Sequence, residues 1–309
     1  MMMSNSKKKR QHYLPQFYLK GFSREYLKPE DKRNDSKYNV WYYDLAKRKI
    51  INRHVKKVAQ ESYYYSWITQ DGDWDYTLEE ILSEVETILA PFIKFLNDQI
   101  VEIQKTKKKI SHFIISENQR YNLLEFLRIT YARIPSTIEP MRNSIKKDFE
   151  NNSSGKNIDE NILKQITLET AMQLGTSKYD FVEIFDSRQL WILYPQSRLG
   201  SIITTDSPIV RFNKNGPNGI GYPDTEIYYP LSQNFVLVIM DKENDKSKLH
   251  VRAFNDRNEL SKYNRYVAQH ATKYLIGRDR DLIQSIVERI KFIKPKKYVE
   301  EMMDDTENI

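Results

Sequence analysis

The sequence predicts an α+β fold with a small aromatic β region, a helical middle, and a mostly antiparallel C-terminal sheet with closing helices. Between residues 77 and 103, apolar side chains recur at intervals of three and four, the period of an amphipathic helix. On both sides of this stretch, short runs rich in β-branched and aromatic residues indicate strands. Strands and helices thus occur in blocks rather than in regular alternation, which favours α+β over a doubly wound sheet.

Two aromatic runs define the N-terminal β region. Residues 39–44 (NVWYYD) predict a strand, and the turn-like residues 45–48 before Ile50 and Ile51 indicate that it continues into a hairpin. Residues 62–68 (SYYYSWI) predict a further strand.

The helical middle begins at Thr77, and Pro91 is expected to kink its first helix. A second helix starts after Ser116, whose hydroxyl can form a capping box with Gln119, and it ends before Pro135. Two further helical stretches complete this part of the chain: residues 140–150 and 158–176.

The C-terminal third returns to strand-like runs. The predicted strands are residues 190–194, 201–205, 209–212, 227–229, 235–240 and 250–254. Residues 213–224 hold three glycines and two prolines and predict an exposed loop. Helices over residues 256–273 and 279–292, separated by a short strand at residues 274–276, close the fold.

We expect a single α+β domain over residues 11–292, because no internal repeat or linker divides the chain. Residues 1–10 end in four cations and predict a basic disordered tail. Residues 293–309, with lysines followed by acidic residues, predict a mobile charged tail.

The composition favours a polyanionic partner. The 309 residues include 49 Lys and Arg against 42 Asp and Glu, a net charge of +7, so nucleic acid is the expected partner. The alternative is that the many lysines reflect a low-GC genome and form solvated surface. No cysteine is present, and no apolar run approaches the ~18 residues that span a bilayer. We therefore expect a cytoplasmic protein without a membrane partner.

The most informative stretch is residues 11–22 (QHYLPQFYLKGF). Its histidine, proline and large apolar side chains are untypical of a disordered tail, so we expect it to pack on the C-terminal strands. The stretch resembles the opening of a bacterial family, domain-of-unknown-function family 4238, whose members begin with QHYVPQFYL-type sequences.

Further blocks resemble the same family, in order, from residue 11 to residue 277. They are residues 58–65 (VAQESYYY), the acidic run of Leu78, Glu79, Glu80, Glu84 and Glu86, residues 133–135 (RIP), 204–208 (TTDSP), 229–232 (YPLS), and a helix with Asn264, Ala268 and Ala271. The resemblance implies relatedness along nearly the whole chain and supplies candidate site positions.

His12 is the first candidate catalytic residue, since imidazole changes charge near neutral pH and serves as an acid, a base or a metal ligand. Gln11 and Tyr18 are expected to orient it and to bind substrate beside it. In the alternative interpretation, His12 is a packed side chain bonded to a backbone carbonyl.

Asp206 is the second catalytic candidate, because it follows the β-branched run that ends at Thr205. A carboxylate at a strand end is well placed to bind Mg²⁺, the one candidate cofactor, or a substrate hydroxyl. The alternative is an Asp that opens a turn before Pro208.

Three arginines form the third candidate set, because arginine forks bind phosphate bidentately. Arg120 and Arg128 lie about 80° apart on an ideal helix and share a broad face. We interpret Arg120 as a solvated or ion-paired position beside Glu117 and Glu125. Arg128 is assigned to substrate binding, and Arg133, at the helix end, to catalysis.

Asn264 is assigned to substrate binding from its place in the family resemblance. On the same helix, Arg265 and His270 have an Arg-x4-His spacing that resembles the ribonuclease motif of the HEPN superfamily, which uses Arg and His without metal. Tyr266 stands where that family usually has a polar residue, so this is a minor alternative.

Two functions from different classes remain open. The first is a nuclease linked to phage defence or mobile elements, with His12, Arg133 and Asp206 converging in one cleft. The second is a non-enzymatic module that binds nucleic acid or a protein partner, with His12 and Asp206 structural. The sequence leaves the oligomeric state open.

Overall fold

The computed structural model describes residues 9–28, 32–153, 157–173, 181–196, 199–213, 216, 219, 222, 224–240 and 245–290. The tail predicted over residues 293–309 and all but the last two residues of the tail predicted over residues 1–10 lie outside these ranges. So does most of the loop predicted between residues 213 and 224. Arg10, which we placed in the N-terminal tail, is the first residue of a strand.

The N-terminal region is built from short strands, one hairpin and one short helix. Its elements are β1 (Arg10–His12), α1 (Gln16–Lys20), β2 (Asn39–Asp44), β3 (Lys49–His54), β4 (Gln60–Ser62), β5 (Trp67–Ile68) and β6 (Trp74–Asp75). Strands β2 and β3 form the predicted hairpin, with Asn39 opposite His54 and Asp44 opposite Lys49.

The predicted helical middle follows. It comprises α2 (Thr77–Thr106), the short strand β7 (His112–Ile114), α3 (Glu117–Arg133), α4 (Pro135–Asn152), α5 (Glu160–Met172) and α6 (Phe181–Asp186). Helix α2 is continuous through Pro91. The capping box of α3 is confirmed, because Ser116 Oγ accepts from the Gln119 N–H and the Gln119 side chain accepts from the Ser116 N–H.

The C-terminal third alternates strands and closing helices. It comprises β8 (Gln189–Tyr194), β9 (Thr204–Thr205), β10 (Val210–Phe212), β11 (Glu226–Ser232), β12 (Phe235–Met240), β13 (Lys248–Ala253), α7 (Arg257–Gln269), β14 (Tyr274–Gly277) and α8 (Arg280–Val287). The α+β class predicted from the sequence is therefore confirmed.

Sheets of six and four strands hold most of the strands, and β1 with β4 and β5 with β6 form two separate two-stranded sheets. The larger has the order β10-β11-β12-β8-β13-β7, and only its β8–β13 pair is parallel. The smaller has the order β3-β2-β14-β9, so the N-terminal hairpin is completed by strands from the end of the chain. Buried apolar side chains from Tyr13 to Ile286 form one continuous core. The boundaries predicted for a single domain stay a prediction.

The two faces of the larger sheet have different neighbours. On one face, the ring of Tyr229 stacks on Tyr18 of α1 at 5.7 Å, and its hydroxyl lies 2.8 Å from Thr130 of α3. On the other face, Tyr228, Val238 and Trp191 are directly paired across β11, β12 and β8. Helices cover the first face, and the second borders α7.

The N-terminal motif packs on the C-terminal strands, as predicted. The hydroxyls of Tyr18 and Thr204 lie 2.5 Å apart, and Leu19 and Phe22 are completely buried. The Gly21 carbonyl accepts from the Gln233 N–H at 3.1 Å. The motif thus contacts strands of both sheets.

Two predicted elements differ from the structure for the same reason: backbone groups bond side chains instead of extending the element. The strand predicted over residues 62–68 is interrupted, because Tyr63 has a positive φ of 54° and the Tyr65 N–H donates to Gln11 Oε1. The helix predicted over residues 256–273 ends at Gln269, and the N–H groups of Thr272, Lys273 and Tyr274 bond Asp206.

Within the ranges given above, no helix combines the length and apolar composition needed to cross a membrane.

The packing of the N-terminal motif can be tested with two identical substitutions. Leu19→Ala removes a fully buried side chain and should lower the free energy of unfolding by about 2–5 kcal/mol. Leu27→Ala, at a position 46% exposed, should change it by no more than about 0.5 kcal/mol. Urea denaturation measures both. Equally small losses in the two variants would show that the motif is a loose tail.

Candidate functional site

Asp206 is buried and its carboxylate is occupied by the backbone. Its Oδ1 accepts from the N–H groups of Thr272, Lys273 and Tyr274 at 2.9–3.0 Å, and its Oδ2 accepts from the Thr272 hydroxyl. Burial raises the pKa of Asp206, and these hydrogen bonds oppose the rise. The carboxylate therefore fastens the loop after α7 to the end of β9. Its catalytic role stays a prediction.

Gln11 and Tyr18 bond other parts of the chain rather than flanking His12 as free polar groups. Gln11 Nε2 donates to Ser66 Oγ at 2.7 Å, and its Oε1 accepts from the backbone of Tyr65. Tyr18 faces Thr204 in the core, and burial raises its pKa well above the ordinary value. The polar atoms of both side chains therefore bond other groups of the protein.

Asn264 joins α7 to the chain that enters β9. Its Nδ2 donates to the Ser201 carbonyl at 2.9 Å, and its Oδ1 accepts from the Ile203 N–H at 3.2 Å. The side chain thus positions α7, and a role in substrate binding stays a prediction.

Arg128 and Arg120 are held by carboxylates. The fork of Arg128 is bidentate on Glu125, with N–O distances of 2.7 and 2.6 Å. Arg120 is buried and ion-paired, but with Asp186 at 2.8 Å rather than with the predicted Glu117 or Glu125, so the solvated alternative was wrong. The sequence did not indicate Asp186 as its partner, because 66 residues separate the two.

His12 lies on β1 opposite Gln60 of β4. Burial lowers the pKa of His12 to about 4, and the charge of Arg133 acts in the same direction, whereas backbone hydrogen bonds with Val55 and Lys56 oppose it. The imidazole is therefore neutral at physiological pH. A neutral ring can accept or donate one proton at its free nitrogen.

Arg133 is 1% exposed and only one edge of its guanidinium is used. Nη1 donates to Glu86 Oε1 at 2.8 Å, whereas Nε and Nη2 are buried without a hydrogen-bond partner. The charge of Arg133 acts on His12, so the structure brings these two predicted residues into one neighbourhood. The carboxylate of Asp206 bonds the backbone of residues 272–274 instead, and its predicted convergence with His12 and Arg133 stays a prediction.

Unpartnered polar atoms concentrate around this pair. Among the described residues, twelve buried side-chain nitrogen or oxygen atoms have no hydrogen-bond partner. Six of them belong to five residues that we call the buried polar cluster: His12, Tyr13, Gln60, Tyr64 and Arg133. Buried polar groups in folded proteins normally have partners, so this concentration marks a candidate site.

A concave region lies elsewhere, between the larger sheet and α7. It encloses about 790 Å³, within the range of ligand-binding clefts. The rings of Trp191, Phe212, Tyr228, Phe254, Tyr263 and Tyr266 line it. The Phe212 and Tyr266 rings meet edge to face at 5.6 Å, and Phe212 is 39% exposed.

Two further concavities continue from this cleft. Arg265 and Arg289 also line a concavity of about 680 Å³ beside α8, and Arg252 also lines one of about 540 Å³ at the end of α2. Because neighbouring concavities share lining residues, they form one elongated surface, which we call the basic groove.

Cations dominate the basic groove. Its acidic residues are Glu259, Asp279 and Asp281, and its basic residues are Arg24, Lys107, Lys108, Lys109, Arg252, Arg257, Lys262, Arg265 and Arg289. Only Arg24 and Arg252 form ion pairs, with Asp279 and Glu259; the other seven cations have no acidic partner among the described residues. A three-to-one excess contrasts with the near balance of the whole chain.

The sequence reasoning missed the groove, although it named one of its residues. Arg265 lines the groove, but His270 does not: its Nδ1 lies 2.9 Å from the Tyr266 carbonyl, so the ribonuclease-like spacing does not converge on one point. A signal was present, because Arg257, Lys262 and Arg265 fall within about 140° of the circumference of α7.

No group of three or more His, Asp or Glu side chains comes close enough to hold a metal ion in the part of the chain that the structure describes. A role for Mg²⁺ stays a prediction.

The fold and these sites define an α+β protein with a mostly antiparallel sheet, a basic groove on one face and a buried polar cluster under its N-terminal motif. A family model described as "Protein of unknown function (DUF4238)" matches residues 10–281. The chain belongs to this family, which confirms the resemblance seen in the opening motif. Searches of curated proteins and of solved structures gave no match.

The structural role of Asp206 gives a stability prediction. Asp206→Ala leaves three backbone N–H groups without their acceptor and should lower the free energy of unfolding by about 1–3 kcal/mol. The matched control is Asp98→Ala, which removes a half-exposed partner of Lys94 and should cost no more than about 1 kcal/mol. Unchanged stability of Asp206→Ala in urea would show that the carboxylate is available for a ligand.

The lowered pKa of His12 gives a pH prediction. The pKa of His12 is about 4 in the folded protein and about 6.5 in the unfolded chain. Between these two pH values, the unfolded chain binds a proton at His12 and the folded protein does not. His12 should therefore reduce the free energy of unfolding as the pH falls through this window, by up to about 1.4 kcal/mol per pH unit. His12→Gln should show a weaker dependence between pH 6.5 and 4 in urea denaturation. Parallel curves for both proteins would contradict the assignment.

Proposed function

We propose that this protein binds single-stranded nucleic acid along the basic groove. The proposal rests on one observation: the same concave surface carries seven cations without acidic partners and a lining of aromatic rings. Cations in a groove follow a phosphate backbone, and aromatic faces stack on bases. An elongated groove suits a chain of phosphates better than an isolated small ligand.

The aromatic lining supports a single strand rather than a duplex. In a single strand the bases can leave the stack and lie on protein rings, whereas paired bases present only their edges. Phe212 is the most accessible candidate platform, because it is 39% exposed at the end of β10. Lys262, Arg265 and Arg289 are exposed around the same cleft and can contact the phosphates.

Strand cleavage is the second candidate. The observation that favours it is the neighbourhood of His12 and Arg133, since both carry unpartnered polar atoms of the kind that bind or protonate a phosphate. These atoms are buried, so cleavage would require the N-terminal motif to open. The links to phage defence or mobile elements and the cytoplasmic location stay predictions.

Binding is tested with fluorescent single-stranded RNA and DNA and a duplex of equal length, titrated at several salt concentrations. We expect tighter binding of single strands, with log Kd rising against log salt by roughly 0.7 for each phosphate contacted. Lys262→Ala should weaken binding and lower this slope by about 0.7. Lys147→Ala removes an exposed helical lysine outside the groove and serves as its control.

The aromatic contact has its own pair of variants. Phe212→Ala should weaken single-strand binding by the roughly 1–3 kcal/mol that one stacked base contributes. Tyr121→Ala, which removes an exposed ring of helix α3 outside the groove, should have no effect. The same samples, incubated with and without Mg²⁺, report cleavage. Affinity independent of salt, or equal losses in groove and control variants, would reject the groove as the binding surface.

A further inference from the structure

The buried polar cluster brings together four segments of the chain. His12 and Gln60 are Cα partners in the β1–β4 pair, and the rings of Tyr13 and Tyr64 lie 5.7 Å apart. Arg133, at the end of α3, exerts its charge on His12 and on Tyr64. None of the five residues lines the basic groove, so the cluster is a separate location.

The buried polar cluster has hydrogen-bonding capacity that the protein itself does not use. Six polar atoms in one neighbourhood lack partners, although each is shielded from solvent. They do not bond one another, so each remains available to a group placed among them. Buried groups of this kind are normally satisfied by ordered water or by a ligand.

The free edge of Arg133 indicates which chemistry fits. Glu86 holds Nη1, and the unpartnered Nε and Nη2 are the two parallel donors that bind a carboxylate or phosphate bidentately. The hydroxyls of Tyr13 and Tyr64 can donate to the same anion.

The carboxylates near the cluster already have partners. Glu86 bonds Arg133, and Asp206, whose charge acts on Tyr13, accepts from the backbone of residues 272–274. Glu61 and Glu139 both contact Lys273 Nζ, at 3.1 and 3.0 Å, and their side chains are 44% and 63% exposed. Their charges are directed to a cation and screened by solvent, so they oppose an incoming anion only weakly.

We propose that His12, Tyr13, Gln60, Tyr64 and Arg133 form a binding site for a small oxyanion, a phosphate or carboxylate group, held by the Nε–Nη2 edge of Arg133. The site does not depend on nucleic-acid binding. It places the opening motif, the turn after β4 and the end of α3 around one ligand.

The test is calorimetric titration of the full-length protein with sodium phosphate and, separately, sodium acetate, with sodium chloride holding the ionic strength constant. Saturable binding of phosphate supports a phosphoryl ligand, and saturable binding of acetate supports a carboxylate ligand. Absence of binding by either ion overturns the proposal. The bound ion should also raise the melting temperature as its concentration increases.

Variants locate the ion. Arg133→Lys should weaken binding at least about tenfold, because lysine offers no parallel fork. The matched control, Arg120→Lys, alters a buried arginine whose fork is already bonded to Asp186 and should leave the affinity unchanged. Loss of phosphate binding in Lys262→Ala would place the ion in the basic groove and overturn the proposal.

Tyr64→Phe is a second variant for the case in which Arg133→Lys does not fold. It removes one hydroxyl oxygen and leaves the ring in place. If the hydroxyl binds the ion, Tyr64→Phe weakens binding and melts lower than the wild type in phosphate. If the cluster holds no ion, the variant loses an unsatisfied buried hydroxyl, melts at or above the wild-type temperature, and responds to phosphate as the wild type does. That second outcome would overturn the assignment.

Discussion

The carboxylate of Asp206 is the contact on which the arrangement of both proposed sites depends. By accepting three successive backbone N–H groups, from Thr272 to Tyr274, it holds the short loop that leads from the end of helix α7 into β14. That strand pairs with β2 and β9, which completes the smaller sheet around the N-terminal hairpin. Asn264 fixes the other side of α7. The helix that forms one wall of the basic groove is therefore positioned by buried polar contacts rather than by apolar packing alone.

Local patterns in the sequence predicted the elements but not their partners. Residues that are neighbours in the sequence determine some elements, and their periodicity and turn chemistry can be recognised without knowing the fold. These elements are the capping box at Ser116, the hairpin of β2 and β3, and the strands β8, β12 and β14. The pairing of β14 with β2 and the parallel pair β8–β13 join distant parts of the chain. No local pattern carries that information, because register is decided by which surfaces are buried together.

For the candidate site residues too, the sequence indicated the residue types but not the contacts that they make. Residue type singled out His12, Arg133 and Asp206 as groups able to do chemistry, and the structure brings the first two together. Whether a polar side chain is free depends on its neighbours in the fold. The N–H groups of residues 272–274 bond the Asp206 carboxylate, but the sequence does not indicate this, because every residue except proline carries the same backbone N–H. The groove was missed because its cations are spread over α2, α7 and α8, so that only the folded chain makes them adjacent.

The contacts of the N-terminal motif, and of the two residues that follow it, join distant parts of the chain. Tyr18 meets Thr204 across 186 residues, Gln233 bonds Ser23 across 210, and Arg24 reaches Asp279 across 255. Loop closure over such separations makes folding slow, and folding is slower still when native contacts are mostly non-local. During synthesis the motif therefore leaves the ribosome well before the residues on which it packs. Until those residues follow, the side chains of Leu19 and Phe22, which are completely buried in the folded protein, have no core to enter, and apolar surface exposed in this way is prone to aggregation.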